Sequence, residues 1–414
     1  MHQNKVEMWL PEDFRCPISL DVMKDPVIVS SGITFDRHSI ESWLDAGNII
    51  CPVTRQVLCH THDLIPNHTL RRHIQQWCVA NREMGGIERI PTPKAPLTCA
   101  QIGDILVMIS APQSCREGLR MLRAAAMESD GNRKRIASTN AATVVASAFC
   151  AHAATATDKS RASSVDVCED ALATLATTGH LDSEARAILL SSPPALASLT
   201  SFLVHGNSEG KTNAALMLQE LTADRQHREE LEAADGMEQG LVELVKEGPS
   251  VTGTKAAITT MYYVARDKSI RIKLVKASAI PLLLEILPES DKFICERSLA
   301  AVDLLCNCVE GRSAAYGHAL TIPVIVKKIL RVSNLATEFA VSILWTMCCH
   351  SSTGSAMIDA LQSGAFQKLL VLIQLGCSEK TRKRATQLLK LFSHYTHEWE
   401  CIETMDFKEA KRSL

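Results

Sequence analysis

From Leu97 onward the apolar positions recur in helix-length blocks with almost no interruption. Aligning Leu199-Thr-Ser-Phe-Leu203 with Leu241-Val-Glu-Leu-Val245, Leu283-Leu-Glu-Ile-Leu287, Ile325-Val-Lys-Lys-Ile329 and Leu369-Leu-Val-Leu-Ile373 puts the first positions at 199, 241, 283, 325 and 369. The steps are 42, 42, 42 and 44. Ile105-Leu-Val-Met-Ile109 and Val145-Ala-Ser-Ala-Phe149 fit the same frame, 40 apart. The next step is 54, and its excess falls near Ala154 to Ser164, a small and polar stretch that reads as an inserted loop. A second helix keeps the period: Ala214, Ala256, Ser298 and Ala340 are 42 apart and Ala385 follows 45 later. Leu218, Leu221, Val302, Leu305, Leu344 and Met347 share its apolar stripe. Small residues there let helices approach closely, and such units bury their faces only by stacking into a solenoid.

The N-terminal pattern is different. Between Pro11 and Glu83 short β-branched runs alternate with turns. Val27-Ile-Val29 and Ile33 to Phe35 flank Ser30-Ser-Gly32, which predicts a small hairpin. Asp36 is placed to cap a helix carrying Ile40, Trp43 and Leu44, with Gly47 to end it. Asn67 caps a second helix carrying Leu70, Ile74 and Trp77. A unit of this size needs a metal or unusually good internal staples. Gly85 to Pro96, with Pro91, Pro93 and Pro96, is a semi-rigid linker because proline blocks helix propagation. The expected fold is mainly α: a small α+β domain over 10–83, a linker over 84–97, an α-solenoid over 98–395 and a tail over 396–414.

Composition narrows the function. Aromatics are 4% of the 414 residues, so the core is Leu, Ala, Ile and Val, a mixture that favours helices. A net charge of −2 sets up no field for nucleic acid or anionic membrane. No apolar run reaches membrane-spanning length, and Met1 to Leu10 lacks a signal-peptide core. The 15 cysteines contain no Cys-x-x-Cys pair, which argues for free thiols in a reducing compartment. A cytoplasmic location is expected; a nuclear or peripheral-membrane pool is left open.

The chemistry-bearing stretch is Asp13-Phe-Arg-Cys16-Pro17-Ile18-Ser-Leu20-Asp-Val-Met-Lys-Asp25-Pro26-Val27, continuing through Gly32 to Arg37, Ile40-Glu41-Ser-Trp43-Leu44, Cys51-Pro52-Val-Thr-Arg55 and Leu64-Ile-Pro66-Asn67. Over residues 10 to 83 it resembles the U-box family, which keeps the RING cross-brace without zinc and holds its two loops by polar side chains. The resemblance implies Cys16, Pro17, Asp25, Pro26, Asp36, Arg37 and Glu41 as structural residues, with Thr34, Asn48 and Thr54 as further staples. It implies a shallow docking groove for a ubiquitin-charged conjugating enzyme, made by Ile18, Leu20, Trp43, Pro52 and Asn67. Arg55 would contact both the conjugating enzyme and ubiquitin. No nucleophile, metal or cofactor is implied on this chain.

Ala279-Ile-Pro281 and Thr321-Ile-Pro323 are similar to the armadillo consensus at the start of its second helix, over roughly residues 100 to 395. Gly86 to Lys94, Cys306-Asn-Cys-Val-Glu-Gly-Arg312 and Val326 to Ser333 are similar to segments of plant U-box–armadillo ligases, a group that often acts in stress and immune signalling. The expected function is therefore an E3 ubiquitin ligase of the U-box type, with a protein substrate on the armadillo surface; a homodimer is left open. The competing reading is a non-catalytic armadillo scaffold with a U-box-like assembly module, which could lose any of Ile18, Trp43, Pro52 and Arg55. Cys59-His60-Thr-His62 lacks zinc-site spacing and reads as a solvated loop. Lys380-Thr-Arg-Lys-Arg384 reads as a solvated helix face.

Overall fold

A computed structural model of the chain describes residues 11–58, 64–80, 97–156, 162–179, 181–223, 236–351 and 354–398. The linker, the Cys59–His62 segment and most of the tail lie outside these residues. The chain divides into two compact units, Met1–Pro96 and Leu97–Leu414.

In the first unit the hairpin forms as the pattern predicts. β1 (Pro26–Ile28) pairs antiparallel with β2 (Thr34–Asp36), Val27 opposite Phe35, and Gly32 turns the chain with φ +80°. A third short strand, β3 (Ile65–Pro66), joins the other edge of β1. The sequence reading had no strand there, because two residues carry no alternation to read. α1 (Arg37–Asp45) follows β2 directly, and Gly47, at φ +85°, closes it by donating to Leu44 O. α2 (His68–Ala80) buries Ile74 and Cys78 against Val27, Phe35 and Ile40, all fully enclosed. Phe14 meets Trp77 edge to face at 5.9 Å.

The second unit is a solenoid of repeats. α3 (Cys99–Ser110) and α4 (Cys115–Glu128) open it. The second repeat is α5 (Asp130–Ala137), α6 (Ala141–Ala156) and α7 (Ala162–Thr178); the third is α8 (Ser183–Leu190), α9 (Pro193–His205) and α10 (Ser208–Thr222). α11 (Met237–Glu247) and α12 (Val251–Val264) belong to the fourth, and α13 (Lys268–Lys276), α14 (Ala279–Ile286) and α15 (Lys292–Leu305) to the fifth. The last two are α16 (Val309–Gly317), α17 (Thr321–Lys328) and α18 (Asn334–His350), then α19 (Ser355–Gln362), α20 (Ala365–Leu375) and α21 (Glu379–Glu398).

The register read from sequence is the register of the core. Ile105, Val145, Leu199, Leu241, Leu283, Ile325 and Leu369 all lie on second helices and are all buried. Ala214, Ala256, Ser298, Ala340 and Ala385 lie on third helices and are enclosed, so α10, α12, α15, α18 and α21 pack one on the next. Ala279 and Thr321 begin α14 and α17, as the consensus match implies. The inserted loop is corrected: 154–156 end α6 and 162–164 begin α7, so much of the excess lengthens two helices. Ala154 and Ala156 favour continuation of the helix over a loop.

The third helices are also joined by their caps. Asn207, Ser250, Asp291 and Ser333 open α10, α12, α15 and α18, each accepting the backbone N–H three residues on. Each also bonds to the preceding third helix: Asn207 donates to Glu169, Ser250 pairs with Thr212, Asp291 with Lys255, and Ser333 donates to Glu296. One residue per repeat thus satisfies a helix start and fixes the register to its neighbour.

Candidate functional site

Two loops of the first unit share one geometry. In the first, Arg15 bridges Val22, Cys16 N donates to Asp21 O, and Leu20 N donates to Cys16 O. In the second, Ile50 bridges Val57, Cys51 N donates to Gln56 O, and Arg55 N donates to Cys51 O. Cys16-Pro17-Ile18-Ser19-Leu20 thus superposes in role on Cys51-Pro52-Val53-Thr54-Arg55. Leu20 (φ 62°) and Arg55 (φ 58°) both take the left-handed conformation. That conformation costs a non-glycine residue about 1–2 kcal/mol. It turns Leu20 outward, 67% exposed, and leaves Arg55 exposed.

The thiol at the base of each loop is fully buried and serves as a hydrogen-bond acceptor. Cys16 Sγ accepts from Asp36 N at 3.3 Å, and Cys51 Sγ accepts from the Ser31 hydroxyl at 3.2 Å and from Thr54 N at 3.5 Å. Burial works against a thiolate at Cys16, but the N–H groups of Ser19, Asp36 and Ile18 outweigh it and lower its pKa. At Cys51 burial is likewise outweighed, by the Ser31 and Thr54 hydroxyls with the Thr54 and Val53 N–H groups, and the pKa falls to about 7. Among the described residues no three His, Cys, Asp or Glu side chains converge as a metal site would require.

Polar staples hold the loops to α1. Asp36 stands at the N-cap position, but the capping role is corrected: its carboxylate makes no cap bond. It reaches back to accept from Lys24 N (2.7 Å) and Asp25 N (2.8 Å), closing the end of the first loop. One carboxylate oxygen thereby satisfies two successive backbone N–H groups, while the first turn of α1 is left without a side-chain cap. Asp25 in turn accepts from Arg37 Nε at 2.7 Å and from Arg71, and Arg37 Nη1 lies 3.7 Å from Glu41. The second loop is tied to the far end of α1: Trp43 Nε1 donates to Ile50 O at 3.0 Å, and Asn48 Nδ2 to Trp43 O at 3.1 Å. Thr54 Oγ1 accepts from Gln56 N.

α1 therefore has one loop fastened to its start and the other to its end. Ile18 and Trp43 are half-buried, resting on the core, while Pro52 is half-buried and Pro17 exposed. Asn67 sits at the sheet: its bonds go to Leu70 N, Thr34 Oγ1 and, through its backbone, Pro26 O. Sequence reasoning missed Val53, which occupies the place of Ile18 in the second loop and is 50% exposed, together with exposed Ile49 and Ile50. The signal was present, since Cys-Pro-Val-Thr-Arg repeats Cys-Pro-Ile-Ser-Leu. It missed Arg71 as well, 46 residues from Asp25.

Paired thiol-based loops on a small stapled sheet, in one chain with an armadillo array, define a U-box–armadillo protein of the RING/U-box class of E3 ubiquitin ligases. A U-box domain model matches residues 10–83, and a model described as the plant U-box protein ARM repeat region matches residues 102–412. U-box domain-containing protein 26 of Arabidopsis thaliana is 35% identical over 414 residues, covering 97% of this chain and 96% of that protein. E3 ubiquitin-protein ligase PUB22 of the same plant is 34% identical, covering 96% and 97%. A crystal structure of an engineered protein matches with a TM-score of 0.54 at 16% identity over 86% of this chain and 81% of that one, a likeness of fold. The chain belongs to the plant U-box family with an armadillo-repeat region.

Proposed function

We propose that Ile18, Leu20, Trp43, Pro52 and Arg55, with Asn67 at the sheet edge, take a ubiquitin-charged conjugating enzyme, and that the solenoid recruits the protein that receives ubiquitin. The observation that carries this reading is the matched pair of loops. Each strains one residue, Leu20 or Arg55, into left-handed backbone and leaves it in the open. Strain of this kind persists where surrounding structure enforces it and marks sites of function. Leu20 in the first loop and Ile49, Ile50 and Val53 at the second give both loops an exposed apolar character that the fold itself does not use.

In this reading the two loops supply no nucleophile. Cys16 and Cys51 are enclosed, and their sulfurs are engaged by the loops. The chain's contribution is positional: it restricts the thioester of the charged enzyme to a geometry a lysine amine can attack. Arg55 is well suited to bridge two proteins, because a guanidinium is always charged and donates in a planar fork.

Autoubiquitination by the full chain with a broad panel of conjugating enzymes tests this. Wild type builds chains with at least one enzyme. Truncating an interface anchor costs about 2 kcal/mol or more, on the order of thirtyfold in affinity, so Ile18→Ala and Trp43→Ala lose chain formation. Arg55→Ala loses it as well while folding stability stays within about 0.5 kcal/mol, as for an exposed side chain without partners to lose. Wild type that builds no chains with any enzyme would defeat the proposal.

A further inference from the structure

The third-helix ladder treats its cations in two ways. In the early repeats they are neutralised by neighbours: Arg116 pairs with Asp166 and Asp170 at 2.8 Å, Arg120 with Asp170, Arg123 with Glu209, and Lys211 with Glu247. In the fourth and fifth repeats two arginines lie on aromatic rings instead. Arg266, two residues past the end of α12, has its guanidinium 4.9 Å from the centre of Tyr262 and 5.8 Å from that of Tyr263, and its Nη2 donates to the Tyr262 hydroxyl at 2.8 Å. Arg297, from the next third helix, is 5.3 Å from the same Tyr262 ring and 5.6 Å from Phe293. Among the described residues neither arginine is in an ion pair.

Two like charges held at one ring repel each other, and the carboxylates closest in sequence bond elsewhere, Asp267 accepting from Ser269 N and Ile270 N. Asp291 caps α15 and pairs with Lys255 at 2.8 Å; Glu296 accepts the Ser333 hydroxyl at 2.6 Å. The rings fix both guanidinium groups in place, so a visiting anion meets a prearranged pair of donors rather than mobile side chains. Phe293, 40% exposed beside them, adds apolar surface that a free inorganic ion would leave uncovered.

We propose that this face of α12 and α15 docks an extended, acidic segment of the substrate protein, its carboxylates on Arg266 and Arg297 and its intervening side chains on Tyr262 and Phe293. The inference rests on the reading that the solenoid recruits substrate. Stacked helices lie about 8–10 Å apart, and a polyproline II segment advances about 9 Å every three residues. Acidic residues three apart would therefore meet successive repeats.

The test uses the full chain and fluorescence anisotropy with a fluorescein-labelled twelve-residue peptide carrying glutamate at every third position, separated by leucine and proline. Its counterparts carry lysine or phosphoserine in place of glutamate. The glutamate peptide binds wild type, binds more weakly as salt is raised, and loses at least tenfold in affinity in the Arg266→Glu/Arg297→Glu variant; the lysine peptide does not bind. Arg266→Gln/Arg297→Gln gives an intermediate loss, and melting curves check that both variants fold. No binding of the glutamate peptide, equal binding of the lysine peptide, affinity unchanged in the folded double variants, or binding of the phosphoserine peptide alone would each overturn the proposal. Wild type that builds ubiquitin chains yet ignores the glutamate peptide refutes this docking face alone; wild type that binds the peptide and builds no chains refutes the ligase reading alone.

Discussion

At the scale of single residues, the U-box replaces strong ligands by many weak ones, each placed by a neighbour. Cys51 is the clearest case, because its sulfur is a hub for the second loop and for Ser31 in the hairpin turn. Its folded pKa of about 7 lies below its ordinary 9.0, so between these values the unfolded chain binds the extra proton. Stability of the U-box therefore rises as pH goes from about 7 to about 9; this contribution is full above the ordinary value and lost as pH falls through the folded one. Hydrogen exchange of the β1–β2 peptides in the full chain, corrected for intrinsic rates, reads this. Protection should grow across that interval in wild type and grow less in Ser31→Ala, which removes the hydroxyl donor. Equal slopes in the two proteins would mean that Ser31 does not stabilise the thiolate. The sequence displayed both Cys-Pro loops, but Arg71 and the backward reach of Asp36 stayed hidden. A hydrogen-bond partner tens of residues away leaves no local period, and one aspartate can serve either a helix start or a turn.

At the scale of elements, three of the second helices are entered through the same left-handed turn, whereas α9 and α17 follow residues with negative φ. Gly236, Ser278 and Gly364 occupy the position just before α11, α14 and α20, and all three are left-handed, at φ 87°, 65° and 79°. Serine is strained there and glycine is not. Ser278 is exposed, so its side chain has little packing to lose. Ser278→Gly should stabilise the solenoid by about 0.5–1 kcal/mol, the conformational relief less the added freedom of the unfolded chain. A higher thermal midpoint for the full chain is the expected result; an unchanged or lower one would show that the serine hydroxyl compensates for the strain. The 42-residue register was fully legible, because burial repeats with it. The lateral caps and the cation–ring stack obey the same register, yet their meaning appears only when adjacent repeats supply both partners. Lys255, Arg297 and Arg384 each sit one residue before a small ladder residue, which is the line from which the stack could have been suspected.

At the scale of the whole chain, activity and specificity are assigned to separate units, and the solenoid's stability is a chain of neighbouring interfaces. Gly311 tests how far a local fault travels. It lies in the Cys306–Arg312 segment, where Cys308 Sγ accepts Gly311 N and Arg312 donates to Cys306 O. A Cβ on Gly311 would stand 1.9 Å from Leu305 O, a backbone atom with no rotamer to escape into. Gly311→Ala must therefore move the turn between α15 and α16, at a cost of about 1–3 kcal/mol, comparable with other overpacked sites. α16 packs on α13 and α14, so the loss should centre on α13 to α18 and fade along the ladder. Hydrogen-exchange mass spectrometry of the full-length variant should find reduced protection in those helices, with α3 to α10 and the β1–β2 hairpin as in wild type. Uniform loss from α3 to α21 would mean that the repeats unfold as one cooperative body. In that case the acidic-segment face on α12 and α15 could not be weakened by a distant fault without weakening every other part of the solenoid.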